Sequence, residues 1–166
     1  STSTFTVTAV RSGSEIQYLT MTAADSAFWL GGVTSSYCPE TVTDCPAGNQ
    51  TVLVDGVALD VEVPGGQQIY VNPLGALSYT VPHSAYIPAN SSVGPFVYTP
   101  GAGWGHYTFT GWGASGFMAC PTLDNKWQVF AAVQNATVPS GNVDDCLGFD
   151  ALANVYDGDV AAWEYI

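Results

Sequence analysis

Fourteen carboxylates are the most numerous groups in this 166-residue chain that could do chemistry. A glycosidase needs two of them roughly 5–10 Å apart, one as acid and one as nucleophile or base. Asp60 and Glu62 would share one face of a strand, and Asp144-Asp145 with Asp150 form a second acidic group. So many acids also produce accidental pairs, and a solvated acidic face is the preferred reading of both. Only His83 and His106 could act as a general base, and no Gly-x-Ser-x-Gly elbow is present. Ser84 beside His83 is a neighbour in sequence, which does not make a catalytic pair. No histidine spacing fits a zinc or copper motif, and residue 1 is Ser, not the N-terminal His of some copper enzymes. Asp144-Asp145 and Asp157-Gly158-Asp159 could offer oxygen to Ca2+, but the longer Asp-rich loop is missing, so turn chemistry is preferred. No catalytic residue, metal or cofactor is assigned.

Aromatic side chains are the better candidates. Sugar sites stack the apolar face of a sugar on an exposed ring and fix its hydroxyls with Asp, Asn or Gln. Trp104, Trp112, Tyr98 and Tyr107 fall in or beside the Gly-rich stretch from Thr99 to Gly116, where loops could expose them. They are the candidate glycan-binding residues, whereas Trp29, Trp127 and Trp163 sit in strand-like sequence and read as core.

Cys38, Cys45, Cys120 and Cys146 allow three disulfide connectivities. Cys38–Cys45 and Cys120–Cys146 are favoured, because each closes a loop within one region of the chain. Zinc sites use shorter ligand pairs than Cys-x6-Cys and Cys-x25-Cys. Three sequons, Asn49-Gln50-Thr51, Asn90-Ser91-Ser92 and Asn135-Ala136-Thr137, predict exposed, glycosylated asparagines. Paired cysteines and sequons together point to an extracellular protein. The opening Ser1-Thr2-Ser3 has no apolar leader and is expected to begin a mature, processed chain.

Charge excludes two classes of partner. Arg11 and Lys126 stand against fourteen acids, a formal net charge of −12. Nucleic acid is bound by Lys and Arg that displace counterions, and this chain has almost none. Anionic membranes repel it for the same reason, and no apolar run approaches the roughly 18 residues of a membrane span.

The elements that must position these residues are strands. Thr4 to Val10 alternates strictly, with β-branched residues throughout. Further strands are predicted at Glu15–Met21, Ala27–Leu30, Thr51–Val54, Ala58–Val63, Gln67–Val71, Ala76–Thr80, Phe96–Thr99, His106–Thr110, Gly116–Cys120, Trp127–Val133, Phe149–Val155 and Val160–Tyr165. Asp55-Gly56 and Asp157-Gly158 are hairpin signals, and Asn72-Pro73-Leu74-Gly75 is a turn. Thr20–Ser26 and Cys146–Ala153 have room for a helical turn or two. About a dozen short strands make one all-β antiparallel domain over residues 1–166. A loose echo of Phe5-Thr6-Val7 in Leu59-Asp60-Val61 and Tyr107-Thr108-Phe109 favours a β-trefoil, with a two-sheet β-sandwich as the alternative.

Several segments resemble the secreted fungal cell-wall proteins of the PhiA type. They are Val63-Pro64-Gly65-Gly66-Gln67-Gln68-Ile69-Tyr70-Val71, Gly75-Ala76-Leu77-Ser78-Tyr79-Thr80, His83-Ser84-Ala85 and Gly116-Phe117-Met118-Ala119-Cys120-Pro121. The likeness is densest in Trp127-Gln128-Val129-Phe130-Ala131-Ala132 and Asn135-Ala136-Thr137-Val138-Pro139. It ends through Cys146-Leu147-Gly148-Phe149-Asp150-Ala151 and Ala162-Trp163-Glu164-Tyr165-Ile166. The resemblance implies a wall mannoprotein linked to development of spore-bearing cells, described among IgE-binding fungal allergens, and it brings no catalytic or ligand residues with it.

The leading expectation is therefore a structural or interaction protein of the fungal wall, alone or as an oligomer, with weak affinity for wall polysaccharide or other wall proteins. A secreted glycan-binding module using Trp104 and Trp112 is the second reading. A hydrolase working through an acidic pair near Asp60 or Asp144 is the third.

Overall fold

The computed structural model describes residues 2–166, so the expected mature start at Ser1 lies outside the described residues. Fourteen strands follow one another: β1 (Thr4–Val10), β2 (Met21–Ala24), β3 (Ala27–Leu30), β4 (Ser36–Tyr37), β5 (Leu53–Val54), β6 (Ala58–Leu59) and β7 (Ile69–Val71); then β8 (Leu77–Tyr79), β9 (Phe96–Thr99), β10 (Trp104–Phe109), β11 (Phe117–Pro121), β12 (Trp127–Ala131), β13 (Leu147–Val155) and β14 (Glu164–Tyr165). Every pair of neighbouring strands is antiparallel, so the all-β antiparallel class stands.

The strands form two layers joined by one long strand. Sheet 1 runs β6-β5-β1-β13-β10-β9, and sheet 2 continues from β13 through β11, β12 and β3 to β8 and β7, with β2 beside β3. β13 serves both: its start pairs with β11, and its end lies between β1 and β10. Strict alternation makes this possible, since Phe149, Ala151 and Ala153 all turn inward. Between the layers Phe5 and Val7 of β1 meet Tyr107 and Phe109 of β10, Phe117 of β11 and Val129 of β12. The path is open, not a closed barrel, and the arrangement is sandwich-like. The threefold echo finds no counterpart in the pairing: β1 lies inside sheet 1 between β13 and β5, while of the second echo segment only Leu59 is in a strand, β6, which ends the sheet.

Departures from the predicted elements have identifiable causes. Glu15–Met21 is mostly turn: Tyr18 has φ 64°, and the Arg11 N–H bonds to Gln17 Oε1 at 2.6 Å, folding the segment back on the end of β1. Thr20–Ser26 holds no helical turn. It contains β2 and a tight turn in which Asp25 and Ser26 both adopt left-handed φ, a hairpin made without the glycine that normally announces one. Of Cys146–Ala153, everything from Leu147 on is strand, because pairing of β13 with β11, β1 and β10 outweighs local helix propensity. Asp157-Gly158 does not close a hairpin. β14 instead pairs with β4, a strand the sequence did not mark, through Glu164–Tyr37 and Tyr165–Ser36.

Cys38 bonds to Cys45, and Cys120 to Cys146, the favoured connectivity. The second disulfide ties β11 to the start of β13 one residue beyond the Ala119–Leu147 pair. Cys120 is fully buried in a small cluster with Met118, Phe130 and Val138. Loop entropy makes the longer closure worth about 3.5 kcal/mol and the shorter about 2.5 kcal/mol. Replacing Cys120 and Cys146 with Ala should therefore lower the urea midpoint more than the same change at Cys38 and Cys45. An equal or reversed order would mean that strain or residual unfolded structure, not loop length, sets the effect.

Candidate glycan-contact surfaces

The four aromatic candidates separate into three environments. β10 alternates, with Gly105, Tyr107 and Phe109 inward and Trp104 and His106 outward. Tyr107 is 2% exposed, its hydroxyl donates to the Gly56 carbonyl at 2.6 Å, and burial pushes its phenol well above the usual tyrosine range. It cannot meet a sugar, and its assignment as a glycan-binding residue is corrected to core. Tyr98 is half-buried, with one ring face stacked on Phe5 at 4.5 Å, so at most its other face is free. Trp104 and Trp112 are about half exposed, at 50% and 49%.

Trp104 belongs to an exposed sheet face. On the outer face of sheet 1, the register aligns Thr6 of β1, Asn154 of β13 and Trp104 of β10 in one row across the strands. The next row holds Thr8, Leu152, His106 and Thr99. Asn154 Nδ2 donates to Thr8 Oγ1 at 2.9 Å, which fixes the amide between the rows. Trp104 stands edge to face with His106 at 5.5 Å between ring centroids. With strands about 4.8 Å apart, this is a shelf of hydroxyl, amide and aromatic groups carrying no acid in either row. Trp104 is legible from its Gly-rich setting, but Asn154, Thr6 and Thr8 join it only through pairing between residues about 150 positions apart in the chain.

Trp112 lies past the far end of β10, about 20 Å along the strand direction from Trp104 at ~3.3 Å per residue. Gly111-Trp112-Gly113-Ala114 is a tight turn closed by Ala114 N–H to Gly111 O at 2.9 Å, with Trp112 at φ 55° and Gly113 at φ 70°. Left-handed backbone costs a residue with a Cβ about 1–2 kcal/mol, and a bulky indole is an unusual occupant. The ring packs edge-on against Phe109 and lines a groove of about 620 Å³ with Asn90 and Asn135. All three sequon asparagines, Asn49, Asn90 and Asn135, are exposed.

A second aromatic cleft was not legible in the sequence. Trp29 and Trp127 are half-buried, Trp127 packing against the main core, and line a space of about 360 Å³ with Thr22, Asp25, Asn125 and Lys126. The Lys126 ammonium sits 5.8 Å from the Trp29 ring centre. Trp163 is half-buried with its indole N–H enclosed and unpaired.

The acidic and histidine candidates are dispersed. Only Ala58–Leu59 of the expected Ala58–Val63 strand forms, so Asp60 and Glu62 lie beyond its end. Asp60 is partly buried and accepts from the Ala161 N–H at 3.3 Å; burial raises its carboxyl pKa, partly offset by that bond. Glu62 is exposed in a groove that Asp60 does not line. Asp145 is engaged by the Ser140 hydroxyl, and the Asp144 N–H is capped by Asn142, both as turn structure. Asp150 stands apart on the exposed face of β13. His83 is an exposed turn residue at φ 63°, and the Ser84 hydroxyl accepts from the Tyr86 N–H. Among the described residues no three His, Cys, Asp or Glu side chains gather as a metal site, and no helix is long and apolar enough to cross a membrane.

The fold and these surfaces define a disulfide-bonded, acidic, all-β protein that exposes aromatic and amide groups on open surfaces. The chain belongs to the PhiA-like secreted protein family, whose profile matches residues 5–166. It is 50% identical over 164 residues to an uncharacterized secreted protein of the fungus Arthroderma benhamiae (strain ATCC MYA-4681 / CBS 112371), covering 96% of this chain and 84% of that relative. No solved structure matches the chain. Membership makes it a member of a secreted family, in agreement with the cysteines and sequons.

Proposed function

We propose that the protein is a structural and interaction glycoprotein of the fungal cell wall, without catalysis, that holds neutral wall polysaccharide weakly on the outer face of sheet 1. The observation carrying this reading is the pair of aligned rows, Thr6–Asn154–Trp104 and Thr8–Leu152–His106, across three adjacent strands. An open sheet face suits a long polymer lying across it, where a deep pocket suits a small ligand. The indole of Trp104 offers an apolar platform, while Asn154 and the threonines offer hydroxyl and amide partners. A net charge of −12 disfavours anionic polymers, so the ligand class is uncharged glucan, chitin or mannan. Family membership and the fungal relative support the extracellular setting. The wall itself follows from the resemblance, and other wall proteins are the second class of partner.

Retention of the purified protein on insoluble chitin, β-glucan, mannan and cellulose, with soluble sugar as competitor, tests the proposal. Wild-type protein should bind one polymer saturably, and Trp104→Ala should weaken that binding about tenfold, near 1.4 kcal/mol. The exposed half of Trp104 makes a folded variant the expected product, checked by its far-UV spectrum. No saturable binding, or binding unchanged by Trp104→Ala, would remove this face as the site.

A further inference from the structure

The groove beneath Trp112 stands apart from the face of sheet 1 and combines an exposed indole with two sequon asparagines. Its lining includes Pro73, Leu74, Asn90, Trp112, Val133 and Asn135, and no charged side chain, in a chain with fourteen acids. Two of its members are sequon asparagines, and both occupy the third position of a turn. One turn is closed by Ser91 N–H to Pro88 O at 3.2 Å, the other by Ala136 N–H to Val133 O at 3.4 Å. Asn90 has the left-handed φ, 67°, that asparagine tolerates there. A turn tip presents the amide nitrogen to a modifying enzyme.

We propose that this groove is the docking site of the protein's own N-linked glycans, with the Trp112 indole as platform for the apolar face of the first N-acetylglucosamine. In the secretory pathway the Asn amide nitrogen attacks the anomeric carbon of a lipid-diphosphate-linked oligosaccharide. The new C–N bond replaces the C–O bond to phosphate, the lipid diphosphate leaves, and the amide loses one proton. Glycans on Asn90 and Asn135 then start inside an uncharged groove of about 620 Å³, within the usual range of ligand clefts. Being covalently attached, the sugar meets the ring at a high effective concentration, so a weak stacking contact suffices. This accounts for a bulky aromatic in a tight turn whose backbone favours Asn or Gly. It also separates the two exposed tryptophans: Trp104 faces external polymer, and Trp112 serves the protein's own sugars. The inference is independent of the reading of Trp104.

The protein should be secreted from a glycosylating fungal host and its site occupancy read by peptide mass spectrometry. Asn90 or Asn135 should be occupied. Under native conditions an endoglycosidase should release glycan from these sites at least about threefold faster in Trp112→Ala than in wild type. Release from Asn49, which lines a different groove, should be unchanged. Should Trp112→Ala fail to fold, hydroxyl-radical footprinting of the otherwise wild-type chain gives the same answer. Trp112 should oxidise about threefold more in Asn90→Gln/Asn135→Gln than in the glycosylated protein, with Trp104 as the unchanged control. Neither asparagine occupied, equal release rates, or equal Trp112 oxidation would each overturn the proposal.

Discussion

Gln67→Leu is expected to destabilise the protein by about 4–5 kcal/mol, although leucine fills nearly the same volume. Gln67 is 2% exposed and its amide is used on both sides. Nε2 donates to the carbonyls of Thr80 and Tyr165, both at 2.9 Å, and Oε1 accepts the Tyr165 N–H at 2.9 Å. One side chain thus substitutes for a strand edge, joining the terminal β14 to the β7–β8 hairpin. Leucine would remove these partners from three backbone groups around a buried site, each costing roughly 1–3 kcal/mol when left unpaired. At about 2–4 °C per kcal/mol for a chain of this size, Tm should fall by about 10–15 °C. A loss under about 1 kcal/mol in urea titration would mean that water or a shifted β14 takes over the three bonds.

That contact marks where the sequence was readable. Gln67 lies in Val-Pro-Gly-Gly-Gln-Gln-Ile-Tyr-Val and Tyr165 in Ala-Trp-Glu-Tyr-Ile, two of the segments that carried the family resemblance, 98 residues apart. Local signals were strong where period-two alternation met a turn residue. β1, β3 and β9 form over the residues expected of them, and Asp55-Gly56 turns the chain between β5 and β6 with φ 53° and 74°. The signals failed where a partner distant in sequence decides. β4 is two residues long and exists because β14 pairs with it, and β14 turns to β4 and Gln67, not back on β13.

The candidate surfaces follow the same rule. A Gly-rich setting pointed to exposed aromatics, which held for Trp104 and Trp112. It failed for Tyr107 because strand parity, set by pairing with β13 and β9, turns every second residue of β10 inward. Parity within the expected His106–Thr110 strand already sets Tyr107 opposite to His106, and starting the strand at Trp104 extends the same alternation to that tryptophan. Trp29 and Trp127 were the opposite case. They sit in strands, as expected, but close to strand ends, Trp127 at the start of β12 and Trp29 one residue from the end of β3, where the turn before β12 leaves their rings half open.

Gly56→Ala is expected to cost about 4 kcal/mol, and the reason ties the core to the proposed binding face. Gly56 has φ +74°, where a Cβ costs about 1–2 kcal/mol. The added methyl would lie 2.6 Å from Cε1 and 3.1 Å from Cδ1 of Tyr107. That ring cannot yield, because Phe5, Phe96 and Phe117 surround it with centroids at 5.4, 6.0 and 5.3 Å. Overpacking adds about 1–3 kcal/mol, and displacing the Tyr107 hydroxyl from the Gly56 carbonyl adds about 1 kcal/mol more. Tyr107→Phe, which keeps the ring and loses only the bond, should cost about 1–2 kcal/mol. Tyr107→Leu removes the obstructing ring edge, so Gly56→Ala should cost about half as much in that background, a coupling that urea titration of the four proteins measures. Equal costs in the two backgrounds would locate the whole penalty in the turn. Because Tyr107 is held in place by its neighbours and sits next to the outward His106 on β10, the strain of the added methyl is expected to pass into the β10 backbone. Gly56→Ala should therefore weaken polymer retention along with stability, although Gly56 is buried and no part of the outer face.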